Sequence, residues 1–168
     1  KPLLDPTTNE LLGYEANYAG TSFIKLSDVG KLKYGSQMFN VTADRTMPGG
    51  LCTVGYDDDG VKTTKRHLVK GGTFVDYQTT RDQAHLIGQK ESHGCSYADS
   101  WASIPFQRMP NVSLEPGAKD VSEADIIAAT DDGVYVKGDA SYSIDHERYN
   151  FQFSGQTFWE VKNGKITS

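Results

Sequence analysis

The 168-residue chain is 37% apolar and 23% charged, which is the composition of a folded globular protein rather than a disordered one. Its net charge of −5 argues against nucleic-acid binding, which needs a clustered Lys/Arg surface to neutralise phosphates. No apolar run reaches the length of about 18 residues that a membrane-spanning helix needs, so neither nucleic acid nor membrane is an expected partner.

Seventeen Gly and nine Tyr against three Met lean toward strands and turns rather than a helical bundle. Pro2 and Pro6 break the first stretch, and Glu10 to Tyr18 reads as a short helix. Phe39, Val41 and Ala43 alternate with polar residues as a strand does, Pro48-Gly49-Gly50 turns the chain, and residues 51–56 form a second strand. Asp59-Gly60 signals a type I′ hairpin turn, joining 51–56 to a strand over 61–69. Lys70-Gly71-Gly72 then leads into 73–78, so the expectation is a three-strand antiparallel meander. Thr80 is placed to cap a helix over 81–87 that stops at Gly88.

Residues 89–105 read as a polar loop longer than most connections in a compact domain, of the kind that is often functional. A strand over 107–114 follows. Ser122 opens a Ser-x-x-Asp capping box before a helix over 123–129, and 134–137 is a strand. Phe151 and Phe153 alternate about Gln152, and Phe158 to Val161 forms a strand that turns at Asn163-Gly164. Only Lys165 to Ser168 follow that turn, a short arm which suggests that the natural chain continues. The fold class expected is α+β and β-rich, with antiparallel strands and hairpins, two or three short helices, and one domain over residues 1–168.

No self-contained active site emerges from the residues. None of His67, His85, His93 and His146 lies at i, i+4 with another, so no helix presents the two-His face of a zinc peptidase. His93-Gly94-Cys95 carries two ligand types two apart, a weak metal or thiol signal without a third orienting group. His67 and His146, among charged neighbours, read as exposed. Asp57-Asp58-Asp59-Gly60 lacks the ligand spacing and closing Glu of a calcium loop and reads as a solvated turn. Cys52 and Cys95 read as reduced thiols of a cytoplasmic protein.

Several segments resemble the TldD/PmbA family, described as modulators of DNA gyrase. They are Leu12-Gly13-Tyr14-Glu15-Ala16-Asn17-Tyr18-Ala19-Gly20-Thr21-Ser22-Phe23, Ala43-Asp44-Arg45-Thr46 with Pro48-Gly49-Gly50, Tyr77-Gln78-Thr79-Thr80-Arg81, Arg108-Met109-Pro110-Asn111, Asp132-Gly133-Val134-Tyr135-Val136 and Trp159-Glu160-Val161-Lys162-Asn163-Gly164-Lys165. They run in order along nearly the whole chain. The resemblance implies the C-terminal domain of a two-domain zinc metallopeptidase that acts on unfolded or small peptides, including the maturation of peptide antibiotics. It also implies a homo- or hetero-dimer with a related subunit. In that family a helical His-Glu-x-x-x-His motif and a downstream cysteine bind zinc.

Here Asp5-Pro6-Thr7-Thr8-Asn9-Glu10-Leu11 stands where the second His and its following residues would fall, and no His precedes His67. No metal ligand is therefore carried over, and this segment alone is expected to be inactive and to bind no zinc. Tyr77, Thr80, Arg81, Arg108, Met109 and Asn111 are the candidate substrate-cleft residues. The alternatives are a non-catalytic partner subunit, or a β-rich glycan-binding module using Trp101, Tyr97 and Trp159 as platforms.

Overall fold

The computed structural model describes residues 22–168; the expected helix over 10–18 lies outside them. The described residues are strand-rich, with antiparallel sheets, one α-helix and two 3-10 turns, which agrees with the α+β, β-rich class expected. The chain forms two compact units, Lys1–Pro116 and Gly117–Ser168.

In the first unit, β1 (Val41–Asp44), β2 (Lys65–Lys70), β3 (Thr73–Phe74) and β6 (Asn111–Leu114) form one sheet in the order β3-β2-β1-β6. The β2–β3 turn at Gly71 and Gly72 is as expected. Gly72 has φ +72, and a Cβ added there would run into the carbonyl oxygens of Gly35 and Ser36, so a side chain is both strained and obstructed.

The expected first arm of the meander is corrected. Residues 51–56 make only a single bridge, Tyr56 to Lys62, and β2 pairs instead with β1, Thr42 opposite His67 and Asp44 opposite Lys65. The physical reason is Asp57. Its Oδ1 accepts the backbone N–H groups of Asp59 (3.0 Å) and Val61 (2.8 Å), which closes a side-chain turn in place of a type I′ turn. Only Gly60 of the central pair has positive φ, where type I′ needs two.

The strand expected over 107–114 is split into β5 (Phe106–Gln107) and β6, with Pro110 between them. β5 pairs with β4 (Ser96–Tyr97) inside the long loop. The helix expected over 81–87 is a 3-10 turn, Ala84–Ile87, that ends at Gly88 with φ 72. The Thr80 carbonyl accepts the N–H groups of Gln83 and Ala84, both at 3.1 Å. The core of this unit gathers Ile24, Phe74 and Tyr77, with Phe74 and Tyr77 edge to face at 4.9 Å.

In the second unit, α1 (Glu123–Ala128) has the expected box: the Ser122 hydroxyl accepts from Asp125 N at 3.2 Å, and Asp125 Oδ2 accepts from Ser122 N at 2.9 Å. β7 (Asp132–Lys137) pairs with β10 (Thr157–Lys162), which turns at Asn163 (φ 48) and Gly164 (φ 76) into β11 (Lys165–Ile166). Two positive φ values in succession are those the Asn-Gly signal requires. Tyr135 stacks on Trp159 at 5.1 Å, and its hydroxyl donates to Glu123 of α1 at 2.8 Å. The sequence reading missed β8 (Tyr142–Ile144), which pairs with β9 (Phe151–Phe153).

Phe74 is 1% exposed and lies at the centre of the first unit's core. Phe74→Ala is expected to destabilise that unit by about 3–5 kcal/mol, read as a lowered urea midpoint by far-ultraviolet circular dichroism. An unchanged midpoint would show that the core does not hold this unit together.

Candidate functional site

Several polar residues of the first unit, among them Asp57, Gln78, Thr79, His93, Ser96 and Gln107, are buried. Asp57 is 6% exposed, so the solvated-turn reading is corrected for that residue, while Asp58 and Gly60 are exposed as read. Besides holding its own turn, Asp57 accepts the Ser96 N–H through Oδ2 at 3.0 Å. Asp58 Oδ2 accepts the Ala98 N–H at 2.6 Å, and Arg81 Nη1 donates to the Asp59 carbonyl at 3.1 Å. The three aspartates thus clamp residues 96–98 and 81 rather than gathering around one point.

A second cluster surrounds Asp76. His93 Nε2 lies 2.8 Å from Asp76 Oδ2, Gln89 Nε2 donates to Asp76 Oδ1 at 2.9 Å, and Arg66 lies 3.7 Å from the same carboxylate. Burial draws the Arg66 guanidinium down, and Asp76 opposes the shift. Cys95 is 2% exposed. Burial pushes its thiol up to about 11, against the pull of Arg45 and Arg66, so it stays protonated at neutral pH.

These groups do not suit zinc. His93 is committed to Asp76, Cys95 is a thiol beside cations rather than a thiolate, and a zinc site wants deprotonated ligands converging on one point. His67, read as exposed, is half-buried with Nε2 3.1 Å from Glu115. His85 and His146 are exposed. Among the described residues no group of three or more His, Cys, Asp or Glu side chains is arranged to hold a metal ion. His93 and Cys95, two apart, do not form a nucleophile–base pair either: the Cys95 sulfur reaches the His93 carbonyl at 3.6 Å, while the imidazole faces Asp76.

The six candidate cleft residues fall in different surroundings. Tyr77 is 0% exposed and in the core. Thr80 is buried and its hydroxyl bonds Asp82. Arg81 is held by Asp59. Asn111 brackets two segments, with Nδ2 donating to the Asp44 carbonyl at 2.8 Å and Oδ1 accepting from Cys52 N at 3.0 Å. The other two line hollows. Met109 borders an apolar hollow of about 240 Å³ with Val41, Leu68, Phe74 and Val112. Arg108 lies 3.9 Å over the Phe106 ring and borders a hollow of about 420 Å³ with Tyr97 and Asp99. Beside Met109, β6 is an outer strand of its sheet among the described residues and pairs with β1 on one edge.

The sequence reading missed Asp76 and Gln89, and also the buried pair Gln107–Gln78, in which Gln107 Nε2 donates to Gln78 Oε1 at 2.8 Å. Each bond spans 10 or more residues of chain, and no local pattern announces it.

Residues 3–168 match the sequence profile of the PmbA/TldA metallopeptidase C-terminal domain. The chain is similar to a metalloprotease of Methanocaldococcus jannaschii, at 27% identity over 99% of this chain and 38% of that protein. It is also similar to the metalloprotease TldD homolog of Buchnera aphidicola subsp. Acyrthosiphon pisum, at 30% identity over 90% of this chain and 30% of that protein. A zinc metalloprotease TldD homolog of Saccharolobus solfataricus is 24% identical over 95% of this chain and 35% of its own length. Among solved structures, TldE from Thermococcus kodakarensis superposes with a TM-score of 0.67 at 26% identity, over 83% of this chain and 31% of that one. The chain thus spans about a third of the length of these relatives. No helix among the described residues is long and apolar enough to cross a membrane.

The raised Cys95 pKa has a measurable consequence. A thiol whose pKa is higher folded than unfolded favours the folded state below the unfolded value and loses that contribution as pH rises through the window. From 9.0 toward about 11, the urea midpoint is expected to fall more steeply for the wild-type chain than for Cys95→Ala. Parallel pH profiles would contradict burial as the cause.

Proposed function

Because this chain belongs to the PmbA/TldA metallopeptidase family, matching its C-terminal domain, we propose that it is the substrate-cradling part of a TldD/PmbA-type zinc metallopeptidase. Its substrates are unfolded or small peptides, and the zinc and its general base are supplied by a part of the protein outside these 168 residues. What supports the cradle is one feature of the first unit. Among the described residues β6 is an outer strand, and its Val112 together with the nearby Met109 borders an apolar hollow. An extended peptide can add to an outer strand through backbone hydrogen bonds and place alternate side chains in such hollows. Of the six candidate residues, Met109 and Arg108 are the two retained for substrate contact, since both border open hollows.

The buried imidazole and thiol are occupied in structural contacts, which agrees with a domain that holds rather than cuts. A second reading is a non-catalytic subunit paired with a metal-bearing relative. The stretch Asp5-Pro6-Thr7-Thr8-Asn9-Glu10-Leu11 favours it, and both TldD and TldE relatives match this chain.

The test is to express the complete reading frame that contains this segment, then measure zinc content and cleavage of an unfolded peptide. Stoichiometric zinc and cleavage that a chelator abolishes are expected. A complete protein with neither zinc nor cleavage would overturn the enzymatic reading in favour of the partner subunit. Within the active protein, Met109→Lys is expected to raise KM about tenfold by placing a charge in the apolar hollow, with kcat little changed.

A further inference from the structure

We infer that the loop between β4 and β5 holds a subsite for a cationic side chain, lysine or arginine, of an extended peptide. Trp101 is its stacking platform and the Asp58 carboxylate its counter-charge. The inference rests on the peptide-binding reading above and adds to it a substrate preference.

The loop over residues 98–105 is fixed at two points. Asp58 Oδ2 accepts the Ala98 N–H at 2.6 Å. Ser103 N donates to the Ser100 carbonyl at 3.1 Å, and the two serine hydroxyls lie 3.0 Å apart. These bonds set the backbone on either side of Trp101, yet the residue itself is 99% exposed. Its ring is therefore offered to solvent by a held loop and contributes nothing to the core.

Beside the ring is a hollow of about 450 Å³ lined by Asp58, Ala98, Ser100, Trp101, Ser103 and Pro105. Its chemistry is one carboxylate, two hydroxyls and an indole, with no Lys, Arg or His among the lining residues. A cation suits this set: the indole face attracts positive charge, and the carboxylate and hydroxyl oxygens accept hydrogen bonds from an ammonium or guanidinium. An anion would meet Asp58 with nothing to offset it. An apolar group would leave the carboxylate and hydroxyls unpaired. A neighbouring hollow that shares Ala98 and Ser103 contains both Asp99 and Arg108, so it is balanced in charge and lacks that preference. The net charge of −5 favours the same class of ligand at longer range.

The experiment uses the 168-residue chain labelled with nitrogen-15 and follows the Trp101 indole N–H resonance, assigned with Trp101→Phe. Three blocked pentapeptides serve as probes, identical except for lysine, norleucine or glutamate at the centre. The lysine peptide is expected to shift the Trp101 resonance and to bind roughly threefold or more tightly than the norleucine peptide, with the glutamate peptide weakest. Asp58→Asn keeps an oxygen for the Ala98 N–H but removes the charge, and is expected to abolish the preference. Salt at about 0.5 M is expected to shrink it. Equal affinity for lysine and norleucine peptides, or a preference that survives Asp58→Asn, would overturn the subsite. Peptides that bind without moving the Trp101 resonance would overturn the subsite and leave the peptide-binding reading standing. Absence of binding by all three would overturn both.

Discussion

The carboxylate of Asp57 is the constraint on which the first unit most depends. It is 6% exposed and accepts three backbone N–H groups, from Asp59, Val61 and Ser96. Two of those bonds shape its own turn. The third reaches across to the segment that contains His93, Cys95 and β4. A buried carboxylate is tolerated only when its oxygens are satisfied, so the turn, the β4 segment and the burial require one another. The neighbouring Asp58 bond to Ala98 extends the clamp into the loop that presents Trp101. The loop that presents Trp101 therefore rests on a buried electrostatic anchor, whereas the hollow at Met109 is walled by Ile24 and Phe74 of the apolar core.

The same economy explains why chemistry-bearing residue types in this segment do not make an active site. His93, Asp76, Arg66, Gln89 and Cys95 are close together, and on composition alone they resemble catalytic machinery. Their geometry is that of a satisfied interior. The imidazole faces a carboxylate that also takes Arg66 and Gln89, and the thiol is desolvated and protonated. Reactive cysteines need a lowered pKa and access, and Cys95 has neither. The proposed peptide contacts lie instead at the surface of the described residues: the outer strand β6, the hollow at Met109 and the loop around Trp101.

Much of the fold was legible because some signals are local. Asn163-Gly164, the Ser122–Asp125 box and the Gly88 stop each act within a few residues, and each appears as read. Pairings between distant segments were not legible. β2 has a suitable neighbour in residues 51–56, yet it pairs with β1, and β6 pairs with β1 across some 67 residues of chain. Asp57, at the head of an Asp-Asp-Asp-Gly string, looks solvated until its Ser96 N–H partner is known. The candidate site was legible in part for the same reason. Arg108 and Met109 belong to a family-like segment and border hollows, whereas Tyr77, Thr80 and Asn111 in similar segments are taken up by core, turn and bracket.

If this chain holds peptide and another part of the protein supplies the metal, peptide binding by these residues is independent of zinc. The direct measurement is the affinity of the 168-residue chain for a fluorescently labelled unfolded peptide, with added zinc and with excess chelator. Equal, saturable binding in both conditions is the predicted result. Binding that appears only with zinc would place a metal site within this segment and contradict the account, and absence of binding in both would remove the cradle itself.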